Sequence, residues 1–233
     1  MPLIDLIDAP SSPLLLRDLY TDGDPGPLVG ALAQVPELCE ATLPFIGAAL
    51  GPSSVSFRHK EIAILRTSAN LSCRFCIDAH TVVAFESGLT GREVRALREC
   101  PQPTDDVFTD PVETALVHWV DAVSTGTGAI DASTSAEAKQ QLGDHRLVEL
   151  TVTVGATILL NRLATGLQLP TSNDTIAALA KRGYESFNPG THVSVRRDGA
   201  RRLEFRLSRA ETPEHEAVLA SPGNQKPGIG VAS

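Results

Sequence analysis

The chain has 233 residues, 42% of them apolar, with a formal net charge of -8 and a pI near 5.2. That length and composition can bury a core without disulfides or metals, and an acidic surface repels phosphate backbones, so nucleic acid is not expected as a partner. The Arg-rich stretch at residues 196–206 is a local exception within an acidic whole.

The first twenty residues lack the basic and long apolar regions of a signal peptide. No uncharged apolar run reads as long enough to span a membrane, the longest lying around Leu150 to Leu160. A cytoplasmic protein without a membrane partner is expected. Of the four cysteines, Cys39 and Cys100 stand alone, while Cys73 and Cys76 form a C-x-x-C. This is not the dense pattern of a secreted scaffold and fits a reducing compartment.

Residues 1–30, punctuated by Pro10, Pro13, Pro25 and Pro27, read as an N-terminal arm with one short helix near Leu14 to Leu19. A helical domain is expected over 31–185, and a C-terminal extension over 186–233. Within the domain, an apolar helix spans about Val35 to Leu50, and Ser53 or Ser54 is a candidate cap for the next, from about Ser56 to Ala69. Four-residue spacing puts Glu61, Leu65 and Ala69 on one inward stripe of that helix.

Ser72 is placed to cap a helix running to about Ser87, which Gly88 ends. Thr90 and Glu93 have the spacing of a capping box for a short helix to about Arg98. After a loop, Pro111 opens a helix carrying Ala115, Leu116, Trp119 and Val123. Two further helices are expected, Thr134 to Leu142 and Asp144 to about Leu167, and one more near Thr175 to Tyr184. The fold class is all-α, with six or more helices.

Val193 and Val195 alternate with polar residues before Asp198-Gly199, as do Leu203, Phe205 and Leu207 after it. This predicts a hairpin over 191–208 with a two-residue turn. Residues 212–233, poor in large apolar side chains, read as a flexible tail.

The chemistry concentrates in one segment. On a shared helix, Cys73, Cys76 and His80 fall on one narrow face, the thiols one turn apart. A helix N-terminus lowers thiol pKa values, His80 can take or relay a proton, and Glu61 can orient the imidazole or act as terminal base. Such a pair can close to a disulfide after one thiol is oxidised to a sulfenic acid. C-x-x-C is also half of a zinc site, but the usual second pair of ligands is missing, and helix packing alone can retain two cysteines. No cofactor or metal is expected. His59, His118, His145, His192 and His215 read as surface or core residues, Cys39 and Cys100 as small buried or semi-buried ones.

The string E-I-A-I-L-R-T-S-A-N-L-S-C-R-F-C-I-D-A-H, from Glu61 to His80, resembles the core motif of the carboxymuconolactone decarboxylase and alkylhydroperoxidase D superfamily: a Glu, eleven residues, then C-x-x-C-x-x-x-H. Val35 to Leu38 resembles the family's entry segment, and Glu149 to Ala164 its closing helix, so the likeness covers roughly residues 30–170. It implies an AhpD-like helical bundle forming homo-oligomers, trimers or hexamers, with the site near a subunit interface. It also implies that Cys76 attacks a hydroperoxide, Cys73 resolves the sulfenic acid, Glu61 and His80 relay protons, and a dithiol reductant protein restores the enzyme. Directly before the second cysteine this chain has Phe75 where alkylhydroperoxidase D proteins carry His, so a relay through that position is absent.

Three functions follow. A dithiol peroxidase uses all four site residues. A lyase or isomerase of the decarboxylase kind would need only Glu61 and His80, acting on a lactone or carboxylic acid. A non-catalytic redox-sensing or assembly protein would use the scaffold alone.

Overall fold

The computed structural model describes residues 1–99 and 106–187, together with the backbone of two strands at 191–197 and 203–209. Cys100, the tail at 212–233, and the side chains of His192 and His215 lie outside the described residues.

After two 3₁₀ segments, Ala9–Ser11 and Leu14–Tyr20, the helices are α1 (Pro27–Leu32), α2 (Pro36–Leu50), α3 (Phe57–Asn70), α4 (Arg74–Glu86), α5 (Gly91–Glu99), α6 (Pro111–Thr125), α7 (Ala132–Gly166) and α8 (Asn173–Lys181). The all-α fold holds for the domain. Helix α3 is central and packs against α4, α5, α6 and α7, with Ile62, Leu65, Ile77, Leu97, Leu116, Leu150 and Val154 sealed in the main core. Its buried charges are partnered, as burial demands. Lys60 Nζ donates to the carbonyls of Ala49 and Gly51 at the end of α2 and pairs with Glu149 at 2.9 Å. Arg66 grips Asp121 through Nε and Nη2, and Arg58 bridges Glu113 and Glu93.

Most helix boundaries obey the local chemistry read from the sequence. Thr90 and Glu93 form the reciprocal capping box, the Glu93 carboxylate accepting from the Thr90 N–H at 2.7 Å and the Thr90 hydroxyl accepting from the Glu93 N–H at 3.3 Å. Asp110 caps α6, accepting from the Val112 N–H, with Pro111 in the first position. Inside α7, Gly143 adopts φ 68° and ψ 170°, a break only glycine tolerates easily, which divides the element where two helices are expected.

Some expectations fail. Ser56, not Ser53 or Ser54, caps α3, accepting from the His59 N–H at 3.2 Å; the Ser53 hydroxyl instead takes the Val55 N–H and donates to Glu149. Ser72 does not cap α4. It occupies a left-handed position ending α3, where its N–H donates to Ala69 O and that of Cys73 to Ser68 O, so the capping position of α4 passes to Cys73.

Strands β1 (Thr191–Arg197) and β2 (Leu203–Arg209) pair antiparallel with Arg197 opposite Leu203, leaving five residues between them rather than a two-residue turn. This register sets Val193 opposite Leu207 and Val195 opposite Phe205; the shorter turn would oppose apolar to charged positions. Finally, α7 is, by length and composition, apolar enough to cross a membrane, although Glu149 and Arg162 bound its uncharged run. Its Leu150, Val154, Thr153, Thr157 and Asn161 are nevertheless buried against neighbouring helices, as in the core helix of a folded bundle.

Candidate active site

Glu61 sits on α3 among core residues and is 2% exposed. A carboxylate there requires a partner, and α4 supplies one: His80 Nδ1 lies 3.0 Å from Glu61 Oε2. The imidazole keeps about a quarter of its side-chain surface open. The pair therefore reaches from the core toward solvent.

Cys73 and Cys76 are free and buried, at the start of the same helix. Cys73 precedes α4 as its capping residue, in an extended conformation, and Cys76 lies in the first turn, so the three residues do not share one helix as the sequence suggests. Together with Ala31, Ala164 and Leu169 the two form a small apolar cluster, covered by Ile4 and Leu6 from the N-terminal segment. Backbone hydrogen bonds from Leu3 N to Leu167 O and from Ile7 N to Gly30 O tie that segment down.

The two thiols differ electrostatically. A hydrogen bond from the Cys76 thiol, aided by the Cys76 backbone N–H, the Thr165 hydroxyl and the charge of His80, outweighs burial and pushes Cys73 down to about 6. Cys76 is pushed up, because it donates that hydrogen bond and because burial and the adjacent Cys73 charge oppose a second thiolate. Cys73 is thus the stronger acid of the two.

The structure pairs Glu61 of α3 with His80 of α4 and sets Cys73 and Cys76 at the start of α4, close enough for the charge of His80 to act on Cys73. Sequence reasoning missed three further features. Asp78, between Cys76 and His80, is fully buried and accepts from Thr171 Oγ1, Ser186 Oγ and Phe187 N, anchoring the chain beyond α7 to the cysteine helix. A charged residue inside an otherwise buried helical turn is its signal. Second, a cleft of about 530 Å³ opens beside Cys73. Third, Ser72 (φ 53°) and Gln168 (φ 55°), the non-glycine residues of positive φ among the described residues, both line this cleft. Each occupies a helix-ending position that favours glycine, at a cost of roughly 1 kcal/mol.

The other described histidines face carboxylates elsewhere. His59 faces Glu113 at 3.8 Å, His118 meets Glu137 at 3.0 Å and His145 approaches Glu149 at 4.0 Å. Cys39 is buried in a separate apolar cluster with Leu16 and Tyr20. Among the described residues, no group of three or more His, Cys, Asp or Glu is placed to hold a metal ion.

The sequence profile of the carboxymuconolactone decarboxylase family matches residues 36–122, a span that contains Glu61, Cys73, Cys76 and His80. No curated protein sequence matches. Among solved structures, a protein of unknown function from Agrobacterium tumefaciens, considered a candidate antioxidant defence protein AhpD, is 27% identical; the match covers 60% of this chain and 94% of that one, with a TM-score of 0.53. A peroxidase-related protein from Ralstonia eutropha with an alkylhydroperoxidase AhpD core shares the fold at 14% identity, covering 74% and 96% of the two chains, with a TM-score of 0.57. The debrominase Bmp8, solved as a cysteine-to-alanine variant in complex with 2,3,4-tribromopyrrole, shares it at 16% identity over 66% and 81%, with a TM-score of 0.57. With the motif and the family match in agreement, residues 36–122 carry a carboxymuconolactone decarboxylase family segment, set in a helical bundle of AhpD-like fold.

Proposed function

We propose that this protein is a cofactor-free, thiol-dependent peroxidase that reduces hydroperoxides through a Cys73/Cys76 dithiol–disulfide cycle. The observation that carries this reading is the pair of free, buried cysteines at the start of α4, followed on that helix by His80, which is hydrogen-bonded to Glu61 of α3. Cys73, as the stronger acid, holds the resting charge and takes the proton of Cys76. The Cys76 thiolate then attacks the terminal oxygen of the hydroperoxide and the O–O bond breaks. A proton delivered through His80, which Glu61 orients, converts the departing alkoxide to an alcohol and leaves a Cys76 sulfenic acid. Cys73 attacks the Cys76 sulfur, the S–O bond breaks, and the hydroxyl leaves as water with the Cys73 proton. A dithiol reductant protein restores both thiols by exchange. The reaction belongs in a reducing cytoplasm, with a small-molecule substrate and without metal or nucleic acid.

A homo-oligomer, trimer or hexamer, is part of this proposal. Helices α2 and α7, packed on each other, leave Leu38, Phe45, Val148, Val152 and Leu159 exposed, a surface suited to a second copy of the chain. The test of the catalytic reading is consumption of cumene hydroperoxide with a dithiol donor. Activity is expected to vanish in Cys76→Ser; an undiminished rate excludes the cycle.

A lyase or isomerase is the second reading, favoured by one observation: the buried Glu61 and His80 are already paired for acid–base work on a lactone or carboxylic acid, without the thiols. Turnover of a lactone acid that survives replacement of both cysteines by serine would select it.

A further inference from the structure

The cleft beside Cys73 has a size suited to a small organic ligand and two kinds of wall. Phe75, Leu169 and Ile176 give it an apolar side. Ser72, Arg74 and Gln168 give it a polar rim, and no Asp or Glu is among its lining residues, although the protein is acidic as a whole. Arg74 is exposed there and makes no ion pair or hydrogen bond with any described residue. The side chains of Ser72 and Gln168 are likewise without hydrogen-bond partners among the described residues.

Backbone geometry adds an independent argument. Ser72 closes α3, and Gln168 closes α7 by donating from its N–H to Thr165 O while Leu169 N donates to Ala164 O. Glycine would relieve the left-handed strain at both positions, and the polar side chains make no contact that supports the fold. Two such positions converge on one cleft, which Cys73 also lines. Retained strain of this kind marks a binding role.

We propose that this cleft binds an anionic amphipathic substrate, its carboxylate held by Arg74, Gln168 and Ser72 and its apolar body lying on Phe75, Leu169 and Ile176. The inference deepens the peroxidase reading by giving its substrate class: an organic hydroperoxide that carries a carboxylate, rather than hydrogen peroxide or a neutral hydroperoxide. Arg74 and Gln168 are then specificity-determining residues.

Binding can be tested apart from turnover, with octanoate and octanol as probes, since neither contains a peroxide bond. Titration calorimetry on the reduced full-length protein is expected to show octanoate binding that weakens about 10-fold in Arg74→Gln, as the loss of one charged hydrogen-bonding partner predicts. Octanol binding is expected not to change. Gln168→Ala and Gln168→Gly are both expected to weaken octanoate binding, but only Gln168→Gly should raise Tm, by about 2–4 °C, because only glycine removes the strain. In turnover, a fatty-acid hydroperoxide is expected to have a lower KM than its methyl ester, and Arg74→Gln to erase the difference. Octanoate binding indifferent to Arg74 and Gln168, or Gln168→Gly that gains stability and binds as the unaltered protein does, overturns the inference. Arg74-dependent octanoate binding with no hydroperoxide turnover supports the cleft and refutes only the peroxidase reading.

Discussion

His80 Nδ1 and Glu61 Oε2, nineteen residues apart in sequence, meet at 3.0 Å because α3 and α4 pack side by side. The carboxylate is sealed and the imidazole partly open, which suits a proton path leading from the core to the site. Glu61→Gln keeps the shape but removes the carboxylate that His80 Nδ1 meets. Its kcat with cumene hydroperoxide is expected to fall by about 100-fold or more, with KM little changed, the usual scale of general acid–base catalysis. A rate within a factor of two of the unaltered enzyme would falsify the relay.

The second prediction concerns pH. An ordinary cysteine titrates near 8.5, whereas the Cys76 hydrogen bond pushes Cys73 down to about 6. Iodoacetamide modification of Cys73, followed by peptide mass analysis, is therefore expected to reach its half-maximal rate well below pH 8.5. Cys76→Ala, which removes the thiol donor, is expected to move that midpoint upward. The sign for stability follows from proton counts: between about 6 and 8.5 the unfolded chain binds the Cys73 proton more tightly than the folded one. Cys73 thus contributes stability that is complete above the unfolded pKa and lost as pH falls through about 6. The raised Cys76 acts oppositely, and only above its unfolded pKa. Urea unfolding of the reduced protein at pH 5.5 and 7.5, set against Cys73→Ala, checks the difference.

Local spacing made much of this site readable. Glu61 is buried as its distance from Leu65 suggests, although α3 is buried on all sides from Lys60 to Ser68, and Thr90, Glu93, Pro111 and Gly143 mark helix ends through chemistry confined to a few residues. What the sequence hides is non-local or depends on a backbone state. Ser72 has the composition of a cap, yet the left-handed turn ending α3 claims it first, and Cys73 becomes the cap. Ile4 and Leu6 cover the dithiol from about seventy residues away in sequence, and no periodicity in the N-terminal segment announces that contact. The pairing partners of Asp78 lie more than ninety residues downstream.

Asp78 carries the third prediction. Its carboxylate, with no exposure, accepts three hydrogen bonds from residues 171–187 and lies 4.0 Å from Arg98 Nη2. Arg98 in turn donates to Glu185 O and stands over the Tyr184 ring. Asp78→Ala leaves buried donors without an acceptor and Arg98 without its nearest buried carboxylate, a loss of about 3 kcal/mol. Asp78→Asn, which preserves an acceptor oxygen, is expected to lose less. Chemical denaturation measures both. Because Thr171 and Ser186 also line the cleft, limited proteolysis near residues 184–187 is expected to accelerate in Asp78→Ala before global unfolding. Equal stability of the alanine variant and the unaltered protein would mean that these hydrogen bonds do not hold the segment.

The exposed face of α2 and α7 provides the last prediction. Phe45 on α2 and Val152 on α7 are 45% and 42% exposed, and Val148 is 64% exposed, on helices whose opposite sides are core. Leaving such side chains in water forgoes roughly 25 cal/mol per Å² of burial, which a second copy would recover. A charge at the centre of that contact cannot be desolvated cheaply, whereas the same charge on a free surface is harmless. Light scattering coupled to size exclusion is therefore expected to find the unaltered protein as an oligomer and Val152→Glu or Phe45→Glu as smaller species, with helical circular dichroism unchanged. A single mass for all three proteins would show that this face makes no contact between copies, and the homo-oligomer would have to use another surface.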